Sequence, residues 1–440
     1  MRSFRLLPLI LLAAAFGMAH AEPLHVERVA LGDDVPGVQA YNLQEAGDWR
    51  VFARSAPGFR ASRLFLQRRD GDRWLPPQPL PFTDERWRDS DPHLSADGRV
   101  LTFVSDRPGS GDAPRGQLDL FESHRDGADW SAPRRLPDAL QSAAYELGPE
   151  RYGQRLYFAS GRRGGPGALS VYAAQLDGAA PQPQALPAPV NEGAHNSDFH
   201  LTPDGRYAIW WSSRGGAAGG DGDLYLAERI GGGFGPALRL PEPVNGPGFE
   251  FTPQVSADGR WLYFASTRDE PTGLSHVYRT AWPALLQALG PAAEAASQAA
   301  LDAQVSALWR AMGHAPGAGS DTAQLTRLLH AQGRVHAQTL RDGQLGVRSF
   351  AADDFVRRVG EPSAEGLYEC EVKREQRRYG AHAQVYSVVQ SRRHPAQAMP
   401  DLTGVNSMQW QLGPEGWRLL SLHYALELPG AGLPGGDCLA

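Results

Sequence analysis

The chain has 440 residues with 43 basic and 49 acidic side chains, a formal net charge of −6. Such a balance does not attract nucleic acid, so none is expected as a partner. The 50 glycines and 35 prolines, interleaved with many short apolar runs, favour a mainly β chain of two or three domains.

Arg2 and Arg5 precede an apolar run, residues 6–16, that ends in Ala19-His20-Ala21. This is the pattern of a secretory signal peptide covering residues 1–21. The run is shorter than the roughly 20 apolar residues that a spanning helix needs, and no comparable run follows, so no membrane span is expected. Glu22 and Pro23 follow the cleavage position, so no cysteine stands there to carry a lipid. The expected address is the periplasm or the medium. In that setting Cys370 and Cys438, the only cysteines, either pair and tie the tail to the domain body or remain free thiols.

From residue 38 to 280 the chain repeats itself. The turns read SADGR (95–99), RYGQR (151–155), TPDGR (202–206) and SADGR (256–260), with a degenerate fifth at EAGDWR (45–50). Their glycines, Gly47, Gly98, Gly153, Gly205 and Gly259, recur roughly every 50 residues, about the length of a four-stranded propeller blade. Each unit carries a short strand before the turn and a nearly continuous apolar strand after it, at residues 51–53, 101–104, 156–159, 207–211 and 261–265. An unbroken apolar strand has to be covered on both faces, as stacked blades require. A third strand follows in each unit, and in most a "W..P..LP" segment leads onward. The last unit stops after its third strand, whereas residues 24–31 look like a fourth strand without a unit. Closure of the ring by the N-terminus, removing an exposed sheet edge, is therefore expected.

Residues 92–107 with Asp119-Leu120-Phe121, residues 201–214 with Asp223-Leu224-Tyr225, and residues 253–268 resemble the TolB-type propeller repeat. The second turn of the series has lost the aspartate, and the first unit most of the signature. The resemblance implies a five-bladed β-propeller over residues 22–282. It implies little about function, because propellers of this kind serve as protein-binding platforms, ligand binders and hydrolase accessories.

After Trp282 the periodicity becomes helical, with Leu301, Val305, Leu308, Trp309 and Met312 on one face, and Gly290-Pro291 suggests a linker over residues 283–294. Strand-like runs follow at residues 368–373, 381–390, 405–412 and 417–428. The opening helix, the segment 350–359 and the closing hairpin around Gly413-Pro414-Glu415-Gly416 resemble the nuclear transport factor 2-like (SnoaL-like) fold over residues 295–428, leaving 429–440 as a tail. That resemblance implies an α+β cone with a pocket, in a family that includes isomerases and non-catalytic binders.

Candidate site residues fall in two places. Counting back seven and five residues from the turn glycines aligns Asp91, Glu146 and Asp198, with Ala40 and Thr252, and then His93, His200 and Gln254, with Asn42 and Gly148. Residues two apart on a strand share a face. If that face looks into the channel, Asp91, His93, Glu146, Asp198, His200 and Gln254 form a ligand-binding mouth. In the C-terminal unit Trp309, His336, Tyr386 and Trp410 are the candidate pocket, and His330, His336, Glu371 and His423 the candidate acids or bases, although single histidines on apolar strands are more often core. Arg107, Arg162, Arg214 and Arg268 recur in register and are read as intrablade pins, with Asp119 and Asp223 as their partners. The glycine-rich stretches 164–167 and 215–222 precede no helix and are surface turns rather than phosphate loops. No zinc spacing, nucleophile elbow or calcium loop is present, and no metal or cofactor is called for.

These features point to an exported, non-catalytic binding or interaction protein with a propeller docking face and a second small-molecule pocket, its partner an envelope protein or a small-molecule or glycan ligand. The alternatives are a cell-envelope glycan hydrolase using the channel-mouth carboxylates and an isomerase or hydrolase seated in the C-terminal cone. The mature chain is expected to begin at Glu22; intact-mass measurement of exported material that still carries Arg2 would overturn this.

Overall fold

The computed structural model describes residues 23–439 apart from 33, 109–115, 178–180, 215–221, 231–232, 270–271, 342–343, 380, 414–415, 429 and 431. The signal-peptide reading of residues 1–21 lies outside the described residues, as do most of the second glycine-rich stretch and the tip of the closing hairpin.

Five separate antiparallel sheets are led by the strands Gln39–Ala46, Asp89–Leu94, Glu146–Tyr152, Asn196–Leu201 and Glu250–Val255. These leading strands touch one another in sequence, and the first touches the last, so they line the axis of a propeller-like ring. The apolar second strands explain the stacking. In Arg155–Ser160, Leu156 and Phe158 pack with Val104 and Leu120 of the preceding sheet, while Tyr157 packs with Phe199 and Trp210 of the following one. Every junction between sheets holds an apolar cluster of this kind.

A repeated polar pin holds three of the sheets to their inner strands. Arg107 bonds both oxygens of Asp89 at 2.7 Å and reaches Ser105, while its guanidinium lies over Phe103 and Phe121. Arg162 with Glu146 and Ser160, and Arg268 with Glu250 and Ser266, repeat the arrangement. Arg214 caps Ser212 and the carbonyls of Pro189 and Val190. The arginines are thus intrablade pins, but their expected partners are corrected. Asp119 pairs with Arg135 and Asp223 with Arg239; Arg107 instead meets Asp89 on the inner strand, and Arg214, whose inner strand carries Asn196 at that position, pairs with Glu192.

The ring closes through Val26–Arg28, which pairs antiparallel with His276–Ala281 and places Arg28 opposite Tyr278. The chain then enters helix α1 (Trp282–Met312) without an intervening loop. The stretch 283–294 is therefore helix rather than an irregular linker. Trp282, Leu285 and Leu289 are buried against the last two sheets of the ring, and Leu301, Val305, Leu308 and Trp309 in a second core. Anchorage on both sides holds the helix through Pro291, which sits inside it at the loss of one backbone hydrogen bond.

Helices α2 (Thr322–Leu328) and α3 (Ala352–Val359) join α1 against a six-stranded sheet. Its order is Gln344–Ala351, Leu329–Arg341, Gly416–Leu426, Leu402–Gly413, His382–Arg392, Tyr368–Tyr379, with only the second and third strands parallel. Cys370 and Cys438 form a disulfide, and Leu439 N donates to the Glu371 carbonyl, so the tail runs beside the edge strand. Among the described residues no helix is long and apolar enough to cross a membrane.

Deleting residues 24–31 removes the strand that completes the last sheet. The shortened protein is expected to lose its sharp thermal transition by circular dichroism; a melt identical to that of the full mature chain would disprove the closure.

Candidate functional site

Each leading strand contains a β-bulge, which adds a residue and re-aims it. Pairing shifts between Tyr41 and Gln44, Ser90 and His93, Leu147 and Glu150, Ser197 and His200, and Phe251 and Gln254. At the bulge the backbone takes a left-handed conformation: φ is 53° at Asn42, 48° at Asp91, 49° at Gly148, 51° at Asp198 and 48° at Thr252. These five residues are the structurally equivalent set.

That register corrects the placement of Glu146. In the second, fourth and fifth units a longer loop follows the strand, with Ser95, Thr202 and Ser256 hydroxyls accepting backbone N–H groups across it. In the first and third units only residues 47–48 and 153–154 intervene between paired strands. Counting back from the turn glycine therefore lands two residues too early in those two units. Glu146 occupies the pin position of its sheet, bonded to Ser142, Ser160 and Arg162, and Glu150 is the acid that enters the channel. The signal was the short RYGQ turn, which lacks the hydroxyl residue that opens SADG and TPDG.

The bulges are stitched around the axis. Gly148 N donates to Asp91 Oδ2 at 3.0 Å, Thr252 N to Asp198 Oδ2 at 3.2 Å, and Asn42 N to Thr252 Oγ1 at 3.2 Å. Ser90 and Ser197 hydroxyls donate to the other oxygens, Asp91 Oδ1 and Asp198 Oδ1. Gly148 breaks the chain of side chains, and a Cβ there would lie 3.1 Å from Asp198 Oδ1.

Two residues further along lies a second, fully enclosed tier of Gln44, His93, Glu150, His200 and Gln254. Glu150 sits between the histidines, Oε2 at 2.8 Å from His93 Nδ1 and Oε1 at 3.2 Å from His200 Nδ1. Val255 N donates to His200 Nε2, which leaves Nδ1 as the protonated nitrogen facing Glu150. Burial alone would raise the Glu150 pKa, but His93 and His200 together hold it at about 2. Gln254 donates to Gln44, and Gln44 to Asn42. This tier plugs the channel.

Above the plug, Asp91 and Asp198 form the floor of a cavity of about 330 Å3. Its walls include Tyr41, Phe59, Trp211, Phe249 and Phe251. Phe249 stacks on Phe251 at 4.6 Å, Trp211 meets Phe249 edge-on at 5.6 Å, and Phe59 approaches Tyr41 at 5.1 Å and Phe251 at 5.7 Å. None of these aromatic residues stood out in the sequence, because Tyr41, Trp211 and Phe251 belong to strands that read as core, Phe249 directly precedes one, and Phe59 belongs to a short turn (Pro57–Phe59). Burial raises the Asp91 pKa. Burial, with the adjoining Asp91 charge, pushes Asp198 up to about 7.

The C-terminal candidates fall into separate groups, with the His336 and His423 rings 6.1 Å apart. Trp309 and Trp410 are interior members of the core. His336, His423, Ser407 and Tyr386 form a cross-strand row, and Tyr386 lies on the sheet face opposite Trp410. Glu371 is held by Arg374 and Ser387, and His330 accepts from Gln332 N. Among the described residues no group of three or more His, Cys, Asp or Glu side chains is arranged to hold a metal ion.

No protein-family model matches this chain, and no curated protein matches it. Among solved structures, a glycoside hydrolase aligns with 58% of this chain and 89% of its own, at 14% identity and a TM-score of 0.41. A thermostable family-43 glycoside hydrolase covers 56% of this chain and 88% of its own, at 10% identity and 0.37. An NTF-2-like protein of unknown function from Silicibacter pomeroyi covers 29% of this chain and 94% of its own, at 20% identity and 0.21. Similarity at this level carries no chemical argument.

Asp198 has a folded-state pKa raised from 3.8 to about 7, so the folded chain keeps a proton that the unfolded chain releases. Its contribution to stability is full below pH 3.8 and is lost as pH rises toward 7. Asp198→Asn is therefore expected to raise the melting temperature at pH 8 by more than about 2 °C and to change it little at pH 4. An unchanged or lower melting temperature at pH 8, measured by calorimetry, would show that the carboxylate is not held at a cost.

Proposed function

We propose that this chain is an exported ligand-binding protein whose site is the aromatic pocket over Asp91 and Asp198. The observation that carries this reading is the pocket itself: a plugged channel mouth where two carboxylates converge beneath packed rings. Concave, largely apolar sites with a few converging polar groups are the usual form of small-molecule sites. In this proposal a five-bladed TolB-like propeller presents the site and a nuclear transport factor 2-like unit is attached through α1. The disulfide between Cys370 and Cys438 is in keeping with an oxidising compartment such as the periplasm. An envelope protein remains a candidate partner for the outer surfaces.

Glycan hydrolysis is the second reading, favoured by Asp198, whose raised pKa suits a general acid. The removal of Glu146 from the channel leaves it only Asp91 as a companion acid. The two readings separate in one experiment. A small-molecule panel is screened by thermal shift against the mature protein, Asp91→Asn and Phe251→Ala, with reducing-sugar release from envelope glycans followed in parallel. Binding predicts ligands that raise the melting temperature of the parent by about 2 °C or more and leave both variants unmoved, without sugar release. Turnover that disappears in Asp198→Asn would replace the binding reading with the hydrolase.

A further inference from the structure

The buried acids of the ring differ in one respect. Asp89, Asp119, Glu146 and Glu250 each face an arginine, and Glu150 faces two histidines. Asp91 and Asp198 have no cationic partner among the described residues; their bonds come from serine hydroxyls, backbone N–H groups and, at Asp91, the Asn42 side chain. Arg88, on the pocket wall, is engaged with Asp106 through its backbone N and side-chain Nε. A carboxylate withdrawn from water without a counter-charge is costly, and here the buried Asp91 shares one floor with the partly exposed Asp198.

Resting on the reading of this pocket as the ligand site, we propose that it takes a small organic ammonium ion, its charged head between Asp91 and Asp198 and its carbon body against Tyr41, Phe59, Phe249 and Phe251. Three independent features converge on that class. The charge is complementary, since among the described residues no guanidinium or ammonium group bonds either carboxylate of the floor. The carboxylates accept from Ser90, Gly148 N and the Asn42 side chain at Asp91 and from Ser197 and Thr252 N at Asp198, and their remaining lone pairs match the N–H donors of an ammonium group. Aromatic rings line the walls, and the negative face of such a ring attracts a cation. A neutral sugar would satisfy the hydrogen bonds and leave the charges uncompensated, and an organic anion would be repelled. The cavity, about 330 Å3, lies at the lower end of the range for small-molecule sites, which suits a single compact amine.

Protonation of Asp198 competes with the ligand, so binding tightens as pH rises through about 7 and releases a proton. The charged or titratable groups around it are Asp91 and Tyr41, each two strands away around the ring, Arg88 with its partner Asp106 at the wall, and the His93–Glu150–His200 set beneath. The adjoining strand on the other side offers Thr252, which does not titrate.

The test is isothermal titration calorimetry of the full mature chain with benzylammonium, benzyltrimethylammonium, benzyl alcohol, N-acetylglucosamine and calcium chloride. At pH 8 at least one ammonium probe is expected to bind tenfold or more tightly than benzyl alcohol. Its affinity is expected to fall at least tenfold in Asp91→Asn and in Asp198→Asn, to weaken in Phe59→Ala, and to drop between pH 8 and pH 5.5. Phe59 lies at an exposed turn, so its variant keeps the test valid if a floor substitution misfolds. Saturable binding of benzyl alcohol or N-acetylglucosamine that matches or exceeds the ammonium probes would overturn the ammonium assignment and leave the pocket as a ligand site. Calcium binding lost in the aspartate variants, with no ammonium binding, would do the same in favour of a metal. Silence from every probe would overturn both readings.

Discussion

Four non-glycine residues and one glycine, one per sheet, hold φ near +50° where the inner strands bulge. A side chain in that region costs on the order of 1–3 kcal/mol, and it persists only when the surroundings over-determine it. Here two sets of bonds do so. The polar pins clamp the strand just before the bulge in three of the sheets, and the bulge residues hold their neighbours' N–H groups across the blades. The pocket depends on this geometry. A regular strand would point one face at the axis and the other into the stack, whereas the extra residue lets Asp91 and Asp198 face the mouth while His93 and His200 fill the channel beyond.

The ring was legible because its determinants are local. Asp-Gly turns, unbroken apolar strands and an unpartnered N-terminal strand each have a short-range physical meaning, and together they anticipate sheet stacking and closure. The site was legible in part, with Asp91, His93, Asp198, His200 and Gln254 correctly drawn to the axis. Glu146 and Glu150 exchanged roles because loop length, not strand pattern, sets the register, and one glycine can close either a two-residue or a longer turn. The arginine pins were recognised as structural but matched to the wrong acids, since the pairing runs between neighbouring strands whose stagger the bulge alters. Trp309 and Trp410 show the opposite difficulty. An aromatic residue on an alternating strand reads the same whether it lines a cavity or fills one, and here the helices fill the concave side.

The electrostatic plan separates structural acids from available ones. Glu150 lies deeper than Asp91 and Asp198 but is ionised at low pH, because two imidazoles compensate it. Asp91 and Asp198 have only neutral donors and resist ionisation. Burial by itself does not distinguish a site from a scaffold; the absence of a compensating charge among the described residues does so better.

Helix α1 bears on how the two units can be separated. Its first turns complete the apolar face of the last sheets through Trp282, Leu285 and Leu289, and its later turns form the centre of the second core through Leu301, Val305 and Leu308. A cut before residue 282 strips the ring of a lid worth roughly 1.5–3 kcal/mol for each fully buried leucine, and a cut after residue 312 removes the helix from the sheet it supports. Neither half can be excised cleanly at the boundary that changing periodicity suggests. The two cores therefore share one helix, whose residues 282–289 serve the ring and 301–312 the sheet, and a chimera exchanging either part would have to graft the other's turns of that helix intact.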